Sequence, residues 1–109
     1  MNDYVLLYSG GGGMPETEDA QKSALQDWET WMGKLGSALV DGGNPFTSAA
    51  KKIAADGSIS DGPVDQMVTG YSVIKAESLE EAAALAKDCP VLKGGASISV
   101  FETFDVTAM

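Results

Sequence analysis

The segment Tyr4-Val5-Leu6-Leu7-Tyr8 constrains the fold more than any other part of the chain. It is rich in strand formers and is stopped by Ser9 and the glycines Gly10–Gly13, so it reads as a strand. Successive side chains of a strand point to opposite faces. Here Tyr4, Leu6 and Tyr8 form one apolar face and Val5 and Leu7 the other. A strand with two apolar faces needs cover on both sides. The 109 residues amount to a single domain, 1–109. A chain of this size buries only about two-thirds of its unfolded surface. Pairing with a second copy is an efficient way to bury more.

The remaining elements follow from periodicity and punctuation. Thr17 caps a helix whose first turn carries Glu18 and Asp19, well placed against the positive end of the helix dipole. Ala24, Leu25, Trp28, Trp31, Met32, Leu35, Ala38 and Leu39 recur at steps of three and four, one apolar stripe over about five to six turns. Gly33 and Gly36 weaken its last turns. A short strand is expected around Leu39–Gly42, and Asp41-Gly42-Gly43-Asn44-Pro45 ends that segment. Ala49–Ala54 and Gly57–Ser60 flank the Asp56-Gly57 turn of a hairpin, and Asp61-Gly62-Pro63 is a further turn. Val68–Ala76 is a strand. Ser78 and Glu81 form a capping box that opens a second helix to about Lys87, and Cys89-Pro90 stops it. Gly94-Gly95 turns into a last strand, Ser97–Val106, with Ile98 and Val100 on one face and a bulge or change of face near Phe101 and Phe104.

The order is β-α-β, an inserted hairpin, then β-α-β. This is the α+β, ferredoxin-like split β-α-β arrangement, an antiparallel sheet with two helices on one face. Helices on one face leave the other apolar and wet. A two-fold partner is the simplest cover, which makes a homodimer the expected state.

Composition then removes whole classes of chemistry. Seven Lys face sixteen Asp and Glu, a net charge of −9. Such a surface repels phosphate backbones and anionic lipid, so neither nucleic acid nor membrane is an expected partner. The chain contains no His and no Arg. It therefore lacks an ordinary near-neutral acid–base group, a His-based metal site and a bidentate guanidinium clamp. No metal or other cofactor is implied. Cys89 is alone, so no intrachain disulfide framework exists. The N-terminal apolar run is too short for a signal h-region, and no run reaches transmembrane length, so a cytoplasmic location is expected.

The residues left to carry function are carboxylates and phenols. Asp41, at a strand edge, and Asp61, in the Asp-Gly-Pro turn, are the candidate bases, although both also suit ordinary turn chemistry. Tyr8 and Tyr71 are the candidate ligand-facing phenols, together with Asp61, and each tyrosine also suits a buried position with its hydroxyl satisfied. Gly10–Gly13 lacks the Gly-Lys-Ser/Thr ending of a phosphate loop, since Met14-Pro15 follow. Asp56 to Asp61 lacks the alternating ligands of a calcium loop, and Met67 stands where its closing Glu belongs. Trp28, Trp31 and Met32 read as packing, and Cys89 as a small buried hydrophobe without a base to activate it.

Leu6-Leu7-Tyr8 before glycines, Trp28-Glu29-Thr30-Trp31-Met32-Gly33, Asp61-Gly62-Pro63, Gly70-Tyr71, Ala76-Glu77-Ser78-Leu79-Glu80-Glu81-Ala82 and Leu85-Ala86-Lys87-Asp88-Cys89-Pro90 with Gly94-Gly95 run in order along nearly the whole chain. In this the chain resembles the YCII-related proteins, also called the DGPF type after their central turn. The resemblance implies a ferredoxin-like subunit of a dimeric α+β barrel with a ligand cleft beside the sheet. Some members resemble small-molecule lyases such as dehydrochlorinases, with a His–Asp pair in the cleft of certain members. Others are linked with transcription through alternative sigma factors. This chain has Ala24 and Val91 where members commonly carry histidine. It has Ser99-Val100-Phe101-Glu102 where they read Glu-Val-Arg-Pro, and Val64 in place of the Phe of the turn. A mechanism that depends on a His–Asp pair cannot operate here.

The leading expectation is a homodimeric domain that binds a small, apolar or neutral molecule without strong catalysis. The enzymatic alternative is a lyase or isomerase with Asp41 or Asp61 as base and Tyr8 or Tyr71 as polariser. The third is a regulatory protein-interaction module.

Overall fold

The computed structural model describes residues 2–11, 16–47, 49–63 and 68–108. Four strands form the main sheet: β1 (Asn2–Gly10), β2 (Leu39–Asp41), β5 (Val68–Ala76) and β6 (Ala96–Glu102), in the order β2-β5-β1-β6. Every pairing is antiparallel. Helices α1 (Glu18–Leu35) and α2 (Leu79–Ala86) make the two crossovers, and β3 (Lys51–Ile53) with β4 (Ile59–Asp61) forms a separate two-stranded hairpin. Each crossover skips one sheet position, so β5 lies between β1 and β2, and β1 lies between β5 and β6. This is the ferredoxin-like α+β arrangement expected from the element order.

Burial alternates along β1 and shows which face is covered. Tyr4, Leu6 and Tyr8 are buried, whereas Val5 and Leu7 are half-buried. Tyr4, Leu6 and Tyr8 join Ile74 and Ala76 of β5, Trp31 and Leu35 of α1, and Ala82 and Ala86 of α2 in one core. Both helices therefore lie on this face. Leu6 and Ile74 are wholly buried, and such a side chain contributes about 1.5–3 kcal/mol. On the opposite face Val5 stands across from Val73 and Phe101, and Leu7 across from Tyr71 and Ser99. No described helix packs there, and Phe101 is 52 % exposed.

The caps are those the sequence indicates. The Thr17 hydroxyl accepts the Ala20 N–H at 3.1 Å, and Ser78 accepts that of Glu81 at 3.1 Å. The Glu81 carboxylate reaches back one residue beyond the cap, accepting the Glu77 N–H at 3.3 Å. The first helix stops earlier than its apolar stripe suggests. Gly36 adopts φ 53°, its N–H bonds back to Met32 O, and Gly36–Ala38 makes a 3-10 turn. Ala38 and Leu39 keep helical spacing but belong to that turn and to β2. The last strand also differs from expectation, running Ala96–Glu102 rather than to Val106. Phe101 keeps strict alternation, and the register shifts lie instead between Tyr8 and Ser9 and between Leu39 and Asp41, both against β5.

Candidate functional site

The loop that leaves β2 is bound tightly to β5, and it assembles the most function-bearing cluster on the uncovered face. Asp41 Oδ1 accepts the Gly43 N–H at 2.8 Å, closing an Asx turn. Gly43 has φ +73°, and a Cβ there would lie 1.6 Å from the Tyr71 carbonyl oxygen. Only glycine allows both the left-handed backbone and this approach. Pro45 then bridges Gly70, and the Phe46 N–H donates to Thr69 O at 2.8 Å. Gly70 leaves the room: a Cβ on it would meet Asn44 O at 3.3 Å and Pro45 Cα at 3.4 Å. The result is that Phe46 stacks on Tyr71, centroids 5.7 Å apart at 23°. The Tyr71 hydroxyl donates to Asp41 Oδ2 at 3.4 Å. A carboxylate, a phenol and two stacked rings thus share one edge of the sheet.

Tyr8 lies on the other face. Its hydroxyl donates to Ser72 Oγ at 2.6 Å, and Ser72 Oγ donates to Gly42 O at 2.8 Å. The Cys89 thiol donates to the Tyr8 oxygen at 3.7 Å, and the ring meets Trp28 edge-on at 5.9 Å. This buried chain ties β1, β5, the β2 loop and the segment after α2, and each of its polar groups has a partner. Burial pushes the Tyr8 phenol well above its ordinary 10.0; nearby Cys89 adds to this and the Ser72 hydrogen bond opposes it. Burial likewise raises the Cys89 thiol from 9.0, against hydrogen bonds that lower it. A neutral acid held neutral by the fold contributes stability that is complete below its unfolded pKa and is lost as pH rises toward the folded one. Denaturation midpoints are therefore expected to fall above about pH 9–10, and Tyr8→Phe is expected to flatten that slope. An unchanged slope in the variant would show that Tyr8 does not carry it.

The structure brings together two of the four residues singled out from sequence. Asp41 and Tyr71 meet. Tyr8 is turned to the helical side, and Asp61 lies at the end of β4, exposed and paired with the Lys51 ammonium across the hairpin. Phe46 was not anticipated. Its only sequence signal is Gly70 inside a strand, which marks a place where another backbone comes close. The glycine-rich segment after β1 lies largely outside the described residues, as do Val64 and Met67. Trp31 is buried and donates its indole N–H to Leu85 O at 3.0 Å, in keeping with packing. A shallow groove of ≈ 130 Å³ beside Trp31 and the Lys93–Asp27 ion pair shares no lining residue with the Asp41–Tyr71 cluster. Among the described residues there is no group of three or more His, Cys, Asp or Glu that could hold a metal, and no helix is long and apolar enough to cross a membrane.

No protein-family model matches the chain, and no curated protein matches it in sequence. In structure it is similar to 5-chloro-2-hydroxyhydroquinone dehydrochlorinase from Burkholderia phenoliruptrix, solved in complex with 2,5-dihydroxybenzoquinone. The TM-score is 0.56 at 15 % identity, over 96 % of this chain and 97 % of that one. At that identity the likeness is one of fold. The shared fold is the ferredoxin-like α+β arrangement of one antiparallel sheet and two helices.

Proposed function

We propose that this chain is a YCII-related, homodimeric small-molecule-binding domain whose ligand, a small neutral ring compound, rests against Phe46 and Tyr71 and is oriented by Asp41. The observation that carries the reading is the Phe46–Tyr71 stack with Asp41 within reach of the same phenol. Stacked rings offer a flat apolar wall, and one hydrogen-bonding pair beside it fixes orientation, which is the usual division of labour in a small-molecule site. The absence of Arg from the chain disfavours a strongly anionic ligand. The fold neighbour's complex with a dihydroxylated quinone supports the choice of probe.

Titration with hydroquinone, a neutral diphenol, read by quenching of Trp and Tyr fluorescence, tests this. 2,5-Dihydroxybenzoquinone, which is ionised at neutral pH, is the anionic comparison and is expected to bind more weakly. Tyr71→Ala is expected to weaken binding at least about tenfold and Asp41→Asn a few-fold, on the scale of ~1–2 kcal/mol for a ring contact and a hydrogen bond. Native mass spectrometry of the purified protein extends the test to a co-purified ligand. Equal retention by both variants would remove these residues from the site.

An enzymatic reading, as a lyase with Asp41 as base and Tyr71 as polariser, draws on the same 3.4 Å contact. Against it, Asp41 is exposed in the single subunit, and proton abstraction from carbon gains from a site that excludes water. Turnover abolished by Asp41→Asn with binding retained would favour the enzyme.

A further inference from the structure

We infer that the β3–β4 hairpin is an intersubunit arm, its Ile53–Ile59 pair docking on the uncovered sheet face of a second copy of this chain; the inference rests on the dimer proposed above. Ile53 and Ile59 stand directly opposite one another, as do Lys51 and Asp61. By strand alternation both pairs occupy the same face of the hairpin. The isoleucines are 65 % and 68 % exposed, and along the hairpin only Lys52 is half-buried. A two-stranded ribbon is marginal in water unless a further layer covers its apolar side. Among the described residues no layer of its own subunit covers the Ile53–Ile59 pair. Cross-strand β-branched pairs stabilise a ribbon by packing, and two exposed isoleucines at one spot form a ready contact.

Two observations point to a second copy as the occupant. The first is shape. The radius of gyration is 15.5 Å, with extents of 46 × 36 × 17 Å, whereas a compact domain of this length has about 13 Å. The subunit is a thin two-layer slab that an exposed hairpin extends, a form that closes into a compact body only against another layer. The second is charge. Between Ala49 and Gly62 two lysines balance two aspartates, so the arm is neutral while the rest of the chain carries the whole net charge of −9. The arm can therefore approach another acidic copy without the repulsion that the remaining surface imposes. Across a two-fold axis the contact forms twice, each arm meeting the Val5, Leu7, Val73 and Phe101 face of its neighbour.

Hydrogen exchange on the wild-type chain, above and below the concentration at which the dimer dissociates, tests the arm together with the Ile53→Ser/Ile59→Ser variant. Both substituted positions are exposed, so the subunit fold, read by circular dichroism, is expected to persist. The hairpin amides are expected to be protected at least about tenfold more in the dimer than in the monomer, and the variant to raise the dimer dissociation constant by about tenfold or more. A dimer whose hairpin amides exchange as in the monomer, with the variant pairing as wild type, overturns the arm and leaves the dimer. Protection that persists in the monomer also overturns it, since the hairpin would then fold onto its own subunit. A wild-type chain that stays monomeric at all concentrations removes the dimer and the arm together.

Discussion

Gly43→Ala is expected to destabilise the fold by more than about 3 kcal/mol, and Gly57→Ala by only about 1–2 kcal/mol, in paired chemical denaturation curves. The two glycines share a left-handed backbone, at φ +73° and +89°. They differ in what surrounds them. A Cβ on Gly57 meets nothing within 4 Å, so alanine there suffers only the intrinsic cost of the backbone conformation. A Cβ on Gly43 would lie 1.6 Å from Tyr71 O and 2.6 Å from its carbonyl carbon. Those are main-chain atoms of β5, a strand hydrogen-bonded to β2 and β1, and cannot swing aside as a side-chain tip would. The β2 loop must lift instead. Lifting it breaks the Asp41 turn and weakens the Ser72–Gly42 hydrogen bond that ends the buried Tyr8 chain. It also pulls Asp41 and Phe46 from Tyr71, so the variant should lose ligand contact wherever it remains folded. Equal costs for the two substitutions would show that the loop does not approach β5 in this way.

The same loop explains what was legible in the sequence. Caps and turns are local chemistry, and Thr17, Ser78 with Glu81, and Asp56-Gly57 acted where they stand. The strand Val68–Ala76 was readable to the residue because β-branched and aromatic residues fill it between turn signals. The end of α1 was not, because Ala38 and Leu39 continue a helical spacing that is also the spacing of a turn followed by an inward strand residue. In β6 the shared face of Ile98 and Val100 was legible, but neither the regular alternation through Phe101 nor the end at Glu102, since Phe101 to Val106 carry no breaker. At the site, Asp41 and Tyr71 could each be picked for their chemistry. Their pairing depends on β2 lying beside β5, a contact between residues thirty apart in the chain. The two faces of β1 were recognisably apolar, yet nothing in Tyr4-Val5-Leu6-Leu7-Tyr8 itself says which one the helices take. Packing decides that: the face with Tyr8 offers a phenol that Ser72 and Cys89 can satisfy in a buried site, and the smaller Val5 and Leu7 stay outside.

That choice of face sets the second large effect. In the proposed dimer Leu7→Asp is expected to raise the dissociation constant by at least about a thousandfold at 0.1 M salt. Leu7 sits inside the uncovered sheet, opposite Tyr71 on one side and Ser99 on the other. A two-fold interface presents the substituted residue twice. Burying an unpaired carboxylate costs several kcal/mol even after relaxation, so about 2 kcal/mol per copy already accounts for the change. The mutation also moves each subunit from −9 to −10. Repulsion between like-charged copies should weaken as the screening length shrinks from about 10 Å at 0.1 M to about 3 Å at 1 M salt, so the wild-type dimer is expected to tighten over that range. Salt should restore the variant only in part, because the desolvation cost is not screened. The control is Leu25→Asp, which adds the same charge at an exposed position of α1 and is expected to leave pairing within a few-fold of wild type. Sedimentation equilibrium on the three proteins reads both effects. If Leu7→Asp and Leu25→Asp shift the dimer equally, net charge alone governs association, and the Val5–Leu7 face is not the surface through which the subunits meet.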